Sequence, residues 1–334
     1  NKAITPDTDG TKTPVTDEEI NKAIPTTEGK VGSPDVKVTT KVTYKDGGDE
    51  EVTVPVTVLP KVKPEGVTVP KDADKTKLEE VVKEKAEEAA KKLEGLPDGV
   101  TVTVTDVNTT PGTDTVGKQT PATVTVEYKD KDGNKITKVI EVPVNVVSST
   151  PPSVVVFEGD TPNSEEIKKG ITPGEGGTVG DPTKVPSTVG KAGDKDVEVE
   201  VPVTYGNGKF KENVKVPVTV LPKATADVTV VKNTTPDKLK ELAKDKAKEA
   251  VEATDFKSKL PNGATVTVGD VTEDVLSKIT AEKGTNTGTV NVPVTYTVDG
   301  KDYTTTIPVT VNVKGSDVKP VYVVEGDKPK AEDV

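Results

Sequence analysis

The segment Val54-Pro55-Val56-Thr57-Val58-Leu59-Pro60 returns unchanged as Val216-Pro217-Val218-Thr219-Val220-Leu221-Pro222. Valine alternates with proline or threonine in both copies, the period of a strand that buries one face and wets the other. An identity so widely spaced marks a repeat, and a repeat decides the architecture before any single element does.

Working outward, the same spacing recurs. Leu78 has its counterpart in Leu239, Leu96-Pro97-Asp98-Gly99 in Leu260-Pro261-Asn262-Gly263, and Val142-Pro143-Val144-Asn145-Val146 in Ile307-Pro308-Val309-Thr310-Val311. The long period is about 160 to 165 residues and occurs twice. Each period splits into two repeats that close on one hairpin: a strand ending in Tyr, a polar turn, and a strand carrying X-Pro-Val. The turns are Asp46-Gly47, Asp132-Gly133, Asn207-Gly208 and Asp299-Gly300, pairs that accept positive φ and are the strongest short hairpin signal. Prolines 55, 143, 217 and 308 cannot donate to a ladder and are expected on sheet edges or at unpaired registers.

The expected organisation is therefore A1 at 1–60, B1 at 61–148, A2 at 149–223, B2 at 224–315 and the start of a third A repeat at 316–334. The last stretch, Val323-Val324-Glu325-Gly326-Asp327-Lys328-Pro329, matches Val156-Phe157-Glu158-Gly159-Asp160-Thr161-Pro162 in A2, and the opening of the first A repeat, up to about Thr11, is expected to be either degenerate or partly missing. In A1, Thr16-Asp17-Glu18-Glu19-Ile20 has capping-box spacing, with Ser164-Glu165-Glu166-Ile167 as its apparent counterpart in A2. The B repeats carry a longer amphipathic helix, expected over 75–93 and 236–252. Its apolar stripe is Leu78, Val81, Val82, Ala86, Ala89 and Leu93 in B1. In B2 the stripe is Leu239, Leu242, Ala243, Ala247, Ala250 and Val251. On the wet face of the B1 helix, Glu79–Lys83, Glu87–Lys91 and Glu88–Lys92 are expected to pair. These stripes are read as packing on the repeat's own sheet rather than on a partner.

Composition narrows function. The 334 residues hold no Cys, His, Met, Trp or Arg. That removes thiol nucleophiles, imidazole bases, and thiolate or imidazole metal sites, so catalytic, cofactor-binding and metal residues are expected to be none. With a net charge of −11 and every lysine cluster interrupted by acids, a phosphate backbone would be repelled, and no nucleic acid is expected as a partner. No apolar run approaches the ~18 residues needed to span a bilayer. Hydrophobic residues at 31% and aromatics at 3% leave only small cores.

Several motifs carry both a chemical and a plainer reading. Asp130-Lys131-Asp132-Gly133-Asn134 and Asp7-Thr8-Asp9-Gly10 have the alternating carboxylates of half a calcium loop, but no distal Glu follows, and they read as turns. Glu50 and Glu51 point to opposite faces of a strand and cannot act together. Gly174-Glu175-Gly176-Gly177-Thr178 lacks the Lys-Ser/Thr of a phosphate loop and reads as a flexible loop. A Lys–Asn isopeptide crosslink needs a dry aromatic pocket, which six Tyr and three Phe across the chain do not supply. Tyr44, Tyr128, Tyr205 and Tyr296 share one hairpin position and read as core.

Gly159-Asp160-Thr161-Pro162 with Ser164-Glu165-Glu166-Ile167, the Val203-Thr204-Tyr205 strand with its Asn207-Gly208 turn, and the Val216-Pro217-Val218-Thr219-Val220 ending resemble the Rib/alpha-like repeats of Gram-positive surface proteins. The resemblance implies immunoglobulin-like β-sandwiches strung along an extracellular, cell-wall-associated protein. The expected fold is mainly β, a tandem array of such domains with one amphipathic helix packed on the sheet in alternate repeats. Two functions fit: a rigid stalk that projects a distal adhesive domain, or adhesin repeats that themselves bind a host protein or glycan. The chain is expected to be monomeric, with neighbouring repeats as its main partners, and not an enzyme. Short proline-bearing linkers at Leu59-Pro60-Lys61, Ser149-Thr150-Pro151-Pro152 and Leu221-Pro222-Lys223 leave each joint little freedom.

Overall fold

A computed structural model describes residues 3–34, 36–194, 196–272 and 278–333. The chain is mainly β, a repeated series of small sheets consistent with a β-sandwich array, and it divides into two compact units. The first comprises Asn1–Thr150, Pro173–Gly180 and Pro202–Asn213. The second comprises Pro151–Thr172, Asp181–Val201 and Val214–Val334.

In A1 the order is β1 (Gly10–Lys12), α1 (Asp17–Ala23), β2 (Lys37–Tyr44) and β3 (Asp49–Pro55), giving the sheet β1-β2-β3. B1 follows with β4 (Val67–Pro70), α2 (Lys75–Lys91), β5 (Thr101–Thr109), β6 (Gly117–Lys118), β7 (Ala122–Lys129), β8 (Lys135–Val142) and β9 (Val144–Val147). These strands form two sheets, β4-β9-β6 and β5-β7-β8.

A2 holds β10 (Val154–Phe157), α3 (Ser164–Gly170), β11 (Thr178–Val179), β12 (Glu198–Tyr205) and β13 (Phe210–Leu221), ordered β10-β13-β12-β11. B2 holds β14 (Ala226–Val231), α4 (Pro236–Glu252), α5 (Thr254–Ser258), β15 (Thr265–Val268), β16 (Gly284–Val298) and β17 (Lys301–Lys314), ordered β14-β17-β16-β15.

In three repeats the first strand returns to pair in parallel with the last: β4 with β9, β10 with β13, and β14 with β17. The four hairpins turn where the Asx-Gly pairs put them. Asp299 and Gly300 both take positive φ, 49° and 75°, between the paired residues Val298 and Lys301, the two-residue turn whose twist suits flanking strands.

The prolines mark where pairing changes. Pro55 ends β3, an outer strand. Pro217 and Pro308 lie inside central strands, each one step before β10 or β14 begins to pair at Val218 or Val309. Pro143 separates β8 from β9, which belong to different sheets.

The B helices pack as expected, ending at Lys91 and Glu252. Leu78, Val81, Val82, Ala86 and Ala90 are buried in α2, and Leu239, Ala243, Ala247 and Val251 in α4. On α2, Ala90 takes the buried position expected of Ala89. The ion pairs also differ from expectation: Lys75–Glu79 and Lys85–Glu88, on exposed side chains that choose partners with little energetic preference.

One expected equivalence is wrong. The capping box of α1 forms, with Glu19 N–H donating to Thr16 Oγ1 at 3.3 Å and Thr16 N–H to Glu19 Oε2 at 2.8 Å. Yet α1 is not the counterpart of α3. Gly10 and Thr11 pair with Tyr44 and Thr43 as Thr178 pairs with Thr204, so Gly10-Thr11 corresponds to Gly177-Thr178, and Ile4-Thr5-Pro6 to Ile171-Thr172-Pro173. Thus α1 follows its strand whereas α3 precedes it. α1 buries no residue, while α3 buries Ile167.

Candidate functional site

Three of the four hairpin tyrosines define a recurring structure at the joints between repeats. β7 ends at Tyr128 and Lys129, and the Tyr128 hydroxyl donates to the carbonyl of Pro60 at 2.7 Å, in the linker that enters its own repeat. In B2 the Tyr296 hydroxyl donates to the carbonyl of Pro222 at 2.7 Å. Proline makes a suitable post, since its fixed φ holds the carbonyl while its nitrogen demands no partner.

At the entry to A2 a side-chain network takes the place of the proline carbonyl. Tyr205 OH lies 2.9 Å from Ser149 Oγ and donates to Glu212 Oε2 at 2.8 Å, and Ser149 Oγ reaches the same oxygen at 2.6 Å. The backbone N–H of Ser149 donates to Glu212 Oε1 at 3.1 Å. Tyr44 of A1 instead donates to Glu50 at 2.9 Å and is only half-buried.

Apolar contacts reinforce these joints. Phe157 of β10 meets the Tyr296 ring edge-on at 5.2 Å, and Phe256 of α5 lies tilted at 6.3 Å. Leu221 belongs to the same core as α4 and β14–β17. Between B1 and A2, a Cβ on Gly174 would stand 2.7 Å from Val147 Cβ and 3.1 Å from Tyr205 OH. The Gly174–Thr178 stretch is therefore a tight packed turn and not a flexible loop, with Gly177 N–H donating to Gly174 O at 2.9 Å.

Burial raises these phenols. Tyr296 is pushed up to about 12 by desolvation. Tyr128 is raised by burial, against a lowering hydrogen bond from the Val62 backbone, and Tyr205 is raised by burial, with Ser149 opposing and Glu212 adding. These groups stay protonated donors at neutral pH.

The other candidates resolve as structure. Asp130 Oδ1 accepts from the N–H groups of Asp132 at 2.9 Å and Asn134 at 2.8 Å, and Asp130 Oδ2 from Asn134 Nδ2 at 2.8 Å. These bonds hold its carboxyl below the usual range, first through Asn134. Asp7 caps its own turn through Thr8 N–H at 2.8 Å. Glu50 serves Tyr44, whereas Glu51 lies opposite Lys41 in the ladder. The joint bonds escaped the sequence reading because each links residues about 70 apart, beyond any local pattern.

No family model matches the chain. The chain is 33% identical over 243 residues to the C protein alpha-antigen of Streptococcus agalactiae, a similarity covering 64% of this chain and 22% of that protein. It thus spans about a fifth of that curated relative's length. Among solved structures, the sialic acid binding region of a Streptococcus sanguinis adhesin aligns over 86% of this chain and 78% of its own, at 13% identity and a TM-score of 0.23. The human desmocollin-1 ectodomain aligns over 83% and 67%, at 10% identity and a TM-score of 0.16. Alignments this loose do not bear on function.

Proposed function

We propose that this chain is the repeat region of a bacterial cell-surface protein, extracellular and wall-associated, and that it acts as a non-enzymatic stalk projecting a distal adhesive domain. In this reading the four repeats A1, B1, A2 and B2 are separate domains at the sequence boundaries given above. The observation that carries it is the tyrosine joint. Successive repeats hold the linker that precedes them through a buried phenol, at Pro60, Ser149 and Pro222. A stalk needs stiff joints, and these bonds supply them. The similarity to a streptococcal antigen supports the same setting. Among the described residues no helix is long and apolar enough to cross a membrane.

Solution scattering tests the reading. A compact globule of this length has a radius of gyration near ~20 Å, whereas four beads of about 30 Å in line give roughly 35 Å. A stalk requires the larger value, and a radius near ~20 Å overturns it.

A further inference from the structure

Two Asn-Gly pairs occur in the chain, Asn207-Gly208 and Asn262-Gly263. In such a pair the glycine nitrogen can attack the asparagine side-chain carbonyl, because a residue without Cβ leaves the approach open. Both asparagines are exposed, but their turns treat the attacking nitrogen differently. Gly208 lies in the hairpin between β12 and β13, and its N–H donates to Tyr205 O at 3.1 Å. Gly263 lies between α5 and β15, in a turn closed by the residue after it, with Ala264 N–H donating to Pro261 O at 3.0 Å. Its own N–H makes no hydrogen bond among the described residues, and the place a Cβ would take is open space. The φ of 80° at Gly263 is the conformation that the third residue of a type II turn requires.

The surroundings favour an acid at this position. Asn262 lines a groove of about 660 Å³ together with Lys248 and Lys257, against a single carboxylate, Glu252. Nearby cations favour the charged form of a carboxyl group. The first copy of the repeat already carries that acid. Leu96-Pro97-Asp98-Gly99 makes the same turn, with Val100 N–H donating to Pro97 O at 3.0 Å and Gly99 at a φ of 81°.

We propose that Asn262 is a site of spontaneous deamidation, with the backbone of Gly263 as the nucleophile. The Gly263 nitrogen gives up its proton and bonds to Asn262 Cγ. The bond from Cγ to Nδ2 breaks, and the amide group leaves with a proton as ammonia. Water then opens the resulting cyclic imide in one of two ways. Breaking its Cγ–N bond leaves aspartate, and breaking its backbone C–N bond reroutes the chain through Cβ as isoaspartate. Either product adds one negative charge to a net charge of −11. The aspartate form reproduces the Asp98 turn. The isoaspartate form inserts a backbone atom ahead of Ala264, draws its N–H from Pro261 O and loosens the entry to β15.

Peptide mapping of the full chain tests this. The protein is held at mildly alkaline pH, which helps the glycine nitrogen lose its proton, and is then cut after lysine. The peptides Leu260–Lys278 and Asp196–Lys209 each contain one asparagine, Asn262 and Asn207 respectively. Leu260–Lys278 should gain one dalton and split into two isomers, several-fold faster than Asp196–Lys209, the factor carried by the net worth of one hydrogen bond. In urea the two rates should converge, because the difference belongs to the folded turns. Asn262→Asp should melt with the parent, as the Asp98 turn implies. A Leu260–Lys278 peptide whose mass never changes overturns the proposal. Equal rates in the folded chain, or rates that stay apart in urea, overturn the role of the turns, and a fall of several degrees in Asn262→Asp overturns the fit of the acid to its groove.

Discussion

The Tyr296 hydroxyl and the Pro222 carbonyl are joined at 2.7 Å across 74 residues of sequence, and both residues are buried. Tyr296→Phe removes the donor and leaves that carbonyl in a site closed to water. The expected cost is about 1–3 kcal/mol, the range for a buried group that loses its partner. Denaturant unfolding checks this, and an unchanged midpoint means the bond does not hold the joint.

The same phenol gives the stability an alkaline limit. Its folded value of about 12 lies above the ordinary 10.0, so the folded state keeps a proton that the unfolded state gives up. Stability from this group is fully present below pH 10 and is lost as pH rises through about 12, a total of roughly 2–3 kcal/mol. The readout is the difference between parent and Tyr296→Phe, which isolates this phenol. That difference should shrink across this window, and a constant difference would contradict the burial argument.

The two kinds of helix should respond oppositely to charge. Leu239 is fully buried between α4 and the sheet, and Leu239→Asp should cost several kcal/mol by stranding a carboxylate there. Ile20 of α1 is exposed, and Ile20→Asp should stay within about 0.5 kcal/mol of the parent. Calorimetry of both variants decides whether α4 is core and α1 is surface.

The contrast also marks what could be read from sequence. Alternation and Asx-Gly turns located the hairpins because both are local: residue 299 needs only residue 300 to turn the chain. The α2 and α4 stripes were legible for the same reason, as burial follows a 3.6-residue period. The capping box at Thr16 fixes where a helix starts but carries no information on whether it precedes or follows its strand, which is why α1 and α3 look equivalent by sequence. Gly174–Thr178 reads as flexible by composition, yet Gly174 and Gly177 are there to let Val147 and Tyr205 approach. The joints stayed hidden because a tyrosine in a strand gives no hint of the carbonyl its hydroxyl will find.

Calcium should leave the protein unmoved. Both carboxylate oxygens of Asp130 already accept hydrogen bonds from the turn, three in all, and a cation would have to displace them without the further ligands a calcium loop supplies. Millimolar calcium added to chelated protein should not shift the melting temperature, whereas a rise of several degrees would make this turn a metal site.

Gly174 separates a packed joint from a free linker. A side chain there starts 2.7 Å from Val147 Cβ and 2.8 Å from its Cγ2, closer than carbon atoms tolerate, and both neighbours are held in place. Val147 is a buried residue of β9, and Tyr205 is fixed by Ser149 and Glu212. Gly174→Val must push the turn off β9, at a cost of about 1–3 kcal/mol for an overpacked contact. Gly176, two residues on, has positive φ but open space around its Cβ. Gly176→Ala therefore meets only backbone strain, of order 1 kcal/mol. The larger loss at Gly174 should be accompanied by faster proteolysis at Ser148–Pro152, because the Ser149 network depends on Tyr205 keeping its place. If Gly174→Val is no worse than Gly176→Ala and the linker stays protected, the turn does not bear on β9 and the joint between B1 and A2 is loose.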